Sequence, residues 1–234
     1  ILTNLFSVEH FCPLTIRVNR ALKSANLGGN DIGDKGAIAI STALENNGTL
    51  TQIDLNGYGC DVKIGTAGAQ AIAKMLAVNR ALKSANFSAN GIGGEGTAAL
   101  SDALKTNSTL GELELSSNEI GAAGAQSLAD MLQFNRALNT LDLSNNEIGG
   151  VYVVKKDNLQ GTSFKKGDTV QYNGQQCIVF MEENEDGYLE VQNVSGVVAL
   201  AEALKVNRAL KSVDLRLNST PDGGCRQLHA ATVA

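Results

Sequence analysis

Few residues in this 234-residue chain have the chemistry of a reaction centre, and their spacing is unhelpful to one. Cys12, Cys60, Cys177 and Cys225 lie far apart with no CxxC pair, and the two histidines, His10 and His229, stand near opposite ends. A metal site needs clustered Cys/His ligands, so no metal is expected. Four dispersed thiols fit a reducing, cytoplasmic compartment. The chain begins at Ile1 rather than Met, so a removed signal peptide, and secretion with it, stays open. The paired carboxylates Glu182/Glu183 and Glu185/Asp186 fall in an acidic turn, where solvation explains them. No G-x-S-x-G, phosphate-binding Walker loop or His/Glu metal motif occurs, and neither catalysis nor a cofactor is expected. Four glycosylation-like triplets start at Asn47, Asn107, Asn193 and Asn218. The first two sit at one recurring loop, where turn chemistry accounts for Asn-x-Thr.

A Gly-x-x-Gly pair can cradle phosphate, and the chain has several: Gly33/Gly36, Gly65/Gly68, Gly93/Gly96 and Gly121/Gly124. Each opens an Ala/Leu-rich segment such as AGAQSLADMLQF, so the glycines read as a turn followed by close helix packing. Their recurrence points to repeated elements. NRALKSANLGGNDIG at 19–33 returns as NRALKSANFSANGIG at 79–93, as NRALNTLDLSNNEIG at 135–149, and partly at 207–220. The first leucines, Leu22, Leu50, Leu82, Leu110, Leu138 and Leu210, step by 28, 32, 28, 28 and 72 residues.

Each unit reads as strand, turn and helix. Apolar and polar residues alternate as in a half-buried strand, with Leu138, Leu141 and Leu143 inward and Asn139, Thr140 and Asp142 outward. Eight residues after the first leucine stands Asn30, Asn90, Asn118, Asn146 or Asn218, and stacked these would form an asparagine ladder satisfying backbone groups beyond the strand.

These features resemble the ribonuclease-inhibitor type of leucine-rich repeat, and LDLSNNEIGG and GAQSLADML follow that consensus closely. The resemblance implies an α/β solenoid with a parallel sheet on the concave side and helices on the convex side. The domain reading is an irregular N-terminal stretch or cap (1–18), leucine-rich repeats (19–149), an inserted β-rich module (150–194), and a resumed repeat with the C-terminal end (195–234).

Two units break the period. The second is four residues long in excess, at Tyr58–Ile64, with Tyr58 in place of the ladder asparagine. The fifth is interrupted: removing one 28-residue unit from the step of 72 leaves 44 inserted residues. Within them VYVV, GDTVQY-NG-QQCIVFM and YLEVQ predict short strands, with Asn173-Gly174 as a tight hairpin turn. A small antiparallel meander or partly closed barrel is expected. FKKGDTVQYNGQQCIVF resembles the opening of SH3-like barrels of the KOW or Tudor kind. Its aromatics (Tyr152, Phe164, Tyr172, Phe180 and Tyr188) must then divide between core and surface. The insert is read either as a second binding module or as decoration.

Both interruptions lie between strand and helix, so they should share one rim, and insertions on one face of a solenoid often mark its binding face. The candidate residues there are Tyr58, Asp61 and Lys63, with Tyr152, Tyr172 and Tyr188 of the insert. The other candidate surface is an acidic stripe on the strands, Asp54, Glu114, Asp142 and Asp214, read either as a site for a basic or mixed-charge protein or as a solvated face. A net charge of −5 disfavours nucleic acid, and no apolar run is long enough to span a membrane. The expected function is a non-enzymatic interaction scaffold or adaptor, a subunit of a larger assembly. The resemblance also admits a regulator of a partner enzyme, like ribonuclease inhibitors or Ran GTPase-activating proteins, and the ligand-sensing domain of an immune-type receptor.

Overall fold

The computed structural model describes residues 13–155, 159, 165, 168–172, 175–181 and 188–218. His10, Cys12, the carboxylates at 182–186, the short C-terminal helix expected around 224–231, Cys225 and His229 lie outside them.

The repeats fold as read. Six three-residue strands, β1 (Ser24–Asn26), β2 (Gln52–Asp54), β3 (Ser84–Asn86), β4 (Glu112–Glu114), β5 (Thr140–Asp142) and β10 (Ser212–Asp214), form one parallel sheet in the order β1-β2-β3-β4-β5-β10. Each strand is short because only its middle residue and the two flanking leucine positions face inward. Leu138, Leu141 and Leu143 are all buried, as are Leu110, Leu113 and Leu115 one unit earlier. Burying each such side chain stabilises the stack by roughly 1.5–3 kcal/mol.

The helices α2 (Gly33–Leu44), α3 (Thr66–Val78), α4 (Gly93–Thr106), α5 (Gly121–Leu132) and α6 (Ser195–Val206) form the opposite layer. In α5 the buried residues are Gly124, Ala125, Leu128, Ala129, Met131 and Leu132, one stripe at helical spacing. Small residues let neighbouring helices close up: a Cβ on Gly96 would stand 2.9 Å from the Cβ of Ala69 on α3. Gly121 serves the turn instead, at φ +62°. The N-terminal stretch contributes α1 (Pro13–Val18), whose Ile16 is buried against α2, so it packs as the helix end of a preceding unit.

Two asparagine ladders tie the units together. The expected one runs along the strand-to-helix loops. Asn90 Nδ2 donates to Leu55 O, Asn118 Nδ2 to Phe87 O, Asn146 Nδ2 to Leu115 O and Asn218 Nδ2 to Leu143 O, each reaching one unit back. Among the described residues Asn30 bonds only its own Leu27 and Gly28 carbonyls. A second ladder, which the sequence reading did not single out, runs along the helix-to-strand loops. Asn47, Asn79, Asn107, Asn135 and Asn207 each donate to a carbonyl at the end of the preceding helix. Their Oδ1 atoms accept the N–H groups two and three residues on, as at Asn135 with Ala137 and Leu138.

The insert is a second sheet built from β6 (Val151–Lys155), β7 (Thr169–Tyr172), β8 (Gln175–Met181) and β9 (Tyr188–Asn193), antiparallel in the order β6-β9-β8-β7. Tyr172 pairs with Gln175, as a two-residue hairpin connection requires, although Asn173-Gly174 itself lies outside the described residues. Among the described residues the core of the insert is Leu159, Val170, Cys177, Val179 and Val191, with Tyr172 packed against its margin; the side chains of Tyr152, Phe164 and Phe180 lie outside them. Burial pushes the Cys177 thiol above its ordinary pKa. Among the described residues no helix is long and apolar enough to cross a membrane.

Candidate functional site

The parallel register brings the outward residues of the strands into rows. Asn26, Asp54, Asn86, Glu114, Asp142 and Asp214 stand directly beside one another in strand order across the sheet. Adjacent members are separated by about 4.8 Å, the spacing of paired strands. The four acidic residues singled out in the sequence are therefore members of a single file.

Five of the six have a structural task as well. The Oδ1 of Asn26, Asp54, Asn86, Asp142 and Asp214 accepts the N–H two residues later, at Gly28, Asn56, Ser88, Ser144 and Arg216. That bond closes an Asx turn where the chain leaves the strand, which explains why Asp and Asn recur there. Glu114 is the exception. Its side chain is one methylene longer, and it makes no such bond, nor any ion pair among the described residues. Desolvation first, then the charges of Asp142, Asp54 and Glu112, push its carboxyl above the ordinary Glu pKa. At the C-terminal end of the row the Arg216 guanidinium holds Asp214 below its ordinary value, so that carboxylate is already engaged. Glu112, two residues before Glu114 and exposed on the same face, adds a negative charge that the sequence reading passed over.

Tyr58 borders this row. The enlarged second unit places it in the loop between β2 and α3, 57% exposed, yet its phenol oxygen lies 3.2 Å from Ser116 Oγ. Ser116 belongs to the fourth unit, so the ring crosses the third at the level of Ser88. Ser88 and Ala89 are buried there, while their counterparts Ser144 and Asn145 two units on are half-buried and exposed. The loop is pinned from below: Asp31 Oδ1 accepts the N–H groups of Asp61 and Val62, and Asp34 Oδ1 those of Gly65 and Gly68. Asp34 sits in the first turn of α2, so one carboxylate caps the N-terminus of the next helix. The side chains of Asp61 and Lys63 are exposed at the crest.

The tyrosines of the insert lie on the other sheet. Tyr188 is 41% exposed on β9, Tyr172 is half-buried on β7, and Tyr152 lies in β6 with its side chain outside the described residues. The sequence thus identified the acidic row and the Tyr58 loop, which the fold brings side by side. It missed Ser116, Asp31 and Asp34, whose roles depend on contacts between units. The glycosylation-like triplets also find an explanation. Asn47, Asn107, Asn193 and Asn218 are all buried, and each side-chain amide makes hydrogen bonds inside the fold.

A leucine-rich-repeat family model matches residues 18–41, 106–129 and 134–151. Among solved structures, leiomodin-1 Actin-Binding Site 2 is similar at 26% identity and a TM-score of 0.53, covering 58% of this chain and 79% of that one. The tropomodulin C-terminal domain of Caenorhabditis elegans is similar at 14% identity and a TM-score of 0.53, covering 86% of this chain and 93% of that one. No curated protein matches. With the six-stranded parallel sheet and its helical layer, these likenesses make the fold an α/β leucine-rich-repeat solenoid.

Proposed function

We propose that this leucine-rich-repeat solenoid is a non-enzymatic scaffold or adaptor of the ribonuclease-inhibitor type, binding a basic or mixed-charge protein. Its site is the acidic row together with the Tyr58 loop. The observation that carries this reading is Glu114. Its neighbours in the row spend a side-chain oxygen on the strand end, whereas the Glu114 carboxylate has no partner among the described residues and sits among charges of its own sign. A lysine or arginine from a partner would relieve that repulsion. Asp54 and Asp142 flank it two strands and one strand away, and Tyr58 supplies the aromatic surface on which interface energy commonly concentrates. Asp61, Lys63 and Asp214 extend the site at its margins. The insert, read as an SH3-like module, adds a second contact through Tyr152, Tyr172 and Tyr188. A cytoplasmic setting is supported by the free thiols of Cys60 and Cys177.

The test is calorimetric titration of a Lys/Arg-rich peptide into the protein, its Glu114→Gln and Tyr58→Ala variants, and a form with residues 150–194 replaced by a short linker. The proposed site requires weaker binding in both point variants. Undiminished affinity in both would remove the row and the loop from consideration, and loss only in the deletion form would move the site to the insert.

A narrower reading is favoured by the 26% identity to leiomodin-1 Actin-Binding Site 2. In it the partner is actin, and co-sedimentation with actin filaments together with native-gel shifts of monomeric actin decides it.

A further inference from the structure

The opposite edge of the solenoid, where each helix turns into the next strand, has the reverse chemistry. From the second unit on, a buried ladder asparagine stands there, and in the first the half-buried Asn19 holds the equivalent place, its Oδ1 accepting the N–H groups of Ala21 and Leu22. After the asparagine come Arg20, Arg80, Arg136 and Arg208 in the first, third, fifth and sixth units, all exposed. The second and fourth units have Gly48 and Ser108 instead, so the row alternates long cations with gaps until its last two members. None of the four arginines has a carboxylate partner among the described residues. Helix capping accounts for only part of the set. Arg136 donates to the carbonyls of Leu132, Gln133 and Asn135, and Arg80 to that of Asn79, whereas Arg20 and Arg208 make no hydrogen bond among the described residues.

Immediately before the same asparagines stand Val18, Val78, Phe134 and Val206, which are 64, 56, 64 and 54% exposed. A lone exposed apolar residue needs no explanation. Four at one recurring position, each two residues from an arginine with no carboxylate partner among the described residues, form a mixed apolar and cationic edge. Lys23, Lys83 and Lys211, each exposed and immediately before its strand, continue the positive charge towards the sheet.

We infer that this helix-to-strand edge binds an extended acidic segment of a partner protein, with carboxylates meeting the arginines and apolar side chains meeting Val78, Phe134 and Val206. Charge complementarity selects the sign, and the apolar residues select a polypeptide over a bare polyanion. The spacing sets the length. Arg20 to Arg208 spans five strand intervals, about 24 Å, which an extended peptide covers in about seven residues. Arginines two units apart are about 10 Å from each other, matching carboxylates at every third residue of such a peptide.

The probe is a fluorescein-labelled nonapeptide of three Glu-Leu-Ser repeats, read by fluorescence anisotropy on the full chain. Expected is saturable, salt-sensitive binding that weakens at least tenfold in the double variant Arg20→Glu/Arg208→Glu and also in Phe134→Ser. Glu114→Gln leaves it unchanged, which separates this edge from the acidic row. The two arginines carry no hydrogen bond among the described residues, so the urea midpoint of the double variant is expected at the parent value, and measuring it separates loss of binding from unfolding. The inference is overturned by absence of binding at millimolar protein, or by equal binding of a Lys-Leu-Ser probe. Undiminished binding in the double variant has the same consequence. It is also overturned if single-stranded DNA or anionic vesicles compete as well as the unlabelled peptide, or if the edge is occupied by a second copy. That last case is seen as a sedimenting dimer that the double variant abolishes.

Discussion

The phenol of Tyr58, in the second unit, meets the hydroxyl of Ser116, in the fourth, at 3.2 Å. A side chain that bridges two units acts as a strap over the third. Tyr58→Phe, which removes only the oxygen, should lower stability by about 0.5 kcal/mol, the low end for a net hydrogen bond. Tyr58→Ala should do more, uncovering Ser88 and Ala89. Amide hydrogen exchange decides between strap and ornament: Gly57 and Ala89, which donate to Ser88 O and Ser116 O, should exchange faster in Tyr58→Ala than in Tyr58→Phe. Equal rates in the two variants would deny the ring any covering role.

The ladder should show position-dependent energetics. Asn146 Nδ2 donates to Leu115 O and its Oδ1 accepts the N–H of Asn118, so Asn146→Ala strands that buried N–H, while Leu115 O keeps the bond from Asn118 Nδ2. At about 1–3 kcal/mol for a buried unsatisfied group, the loss should be about 2 kcal/mol. Asn30→Ala, which among the described residues disturbs carbonyls of its own unit alone, should cost under about 1 kcal/mol. Urea unfolding followed by circular dichroism measures both, and similar losses at the two positions would contradict the ladder as the source of the difference.

Asp34 caps a helix that is not its own. Asp34→Ala leaves the N–H groups of Gly65 and Gly68 without their acceptor and should destabilise the fold by about 1 kcal/mol, as for other lost caps. Asp34→Asn, which keeps an oxygen, should retain most of it. The amides of α3 should report the loss by hydrogen exchange more strongly than those of α2, and the reverse order would place the effect within α2 itself.

The strand-and-ladder pattern could be read in the sequence because it depends on residues one unit supplies by itself: alternating leucines, a turn asparagine, a glycine pair. The four strands of the insert were legible for the same reason, their alternation and the Asn-Gly step being local. What stayed hidden depends on neighbours. Nothing near Asp34 in sequence points to Gly65, and nothing near Tyr58 points to Ser116. The second ladder was in plain view as the asparagine of NRAL, yet an asparagine beside arginine reads as surface until the stack buries it. The acidic row was found, but its double character was not. That Asp142 closes a turn while Glu114 cannot is a matter of one methylene and the geometry of the strand end.

Glu114 also gives a pH signature with a definite sign. Its carboxyl titrates above the ordinary Glu value because it is desolvated and faces like charges, so the folded chain holds this proton more tightly than the unfolded one. The stability linked to it is present at acid pH and lost as pH rises through the raised value. Glu114→Gln should therefore match the parent below the usual carboxylate range and exceed it in urea midpoint at neutral pH. A variant less stable than the parent at neutral pH would mean that the carboxylate has a favourable partner after all.

The bond from Asn146 N–H to Asn218 Oδ1 joins residues 72 apart, where Asn135 and Asn107 are linked across 28. Thermodynamically the longer closure is cheap, about 0.8 kcal/mol beyond the shorter one on a logarithmic loop cost. Kinetically it is set apart. The first five strands can zip along the chain from neighbour to neighbour, each addition local. The sixth must wait for a distant segment to return, and the pairing of β6 with β9 is what brings Gly150 and Asn193 together to deliver it. The insert thereby works as a clasp in the assembly order. Its own folding should time the arrival of the last coil, and a lesion in its small aliphatic core would be felt first as slow docking of β10.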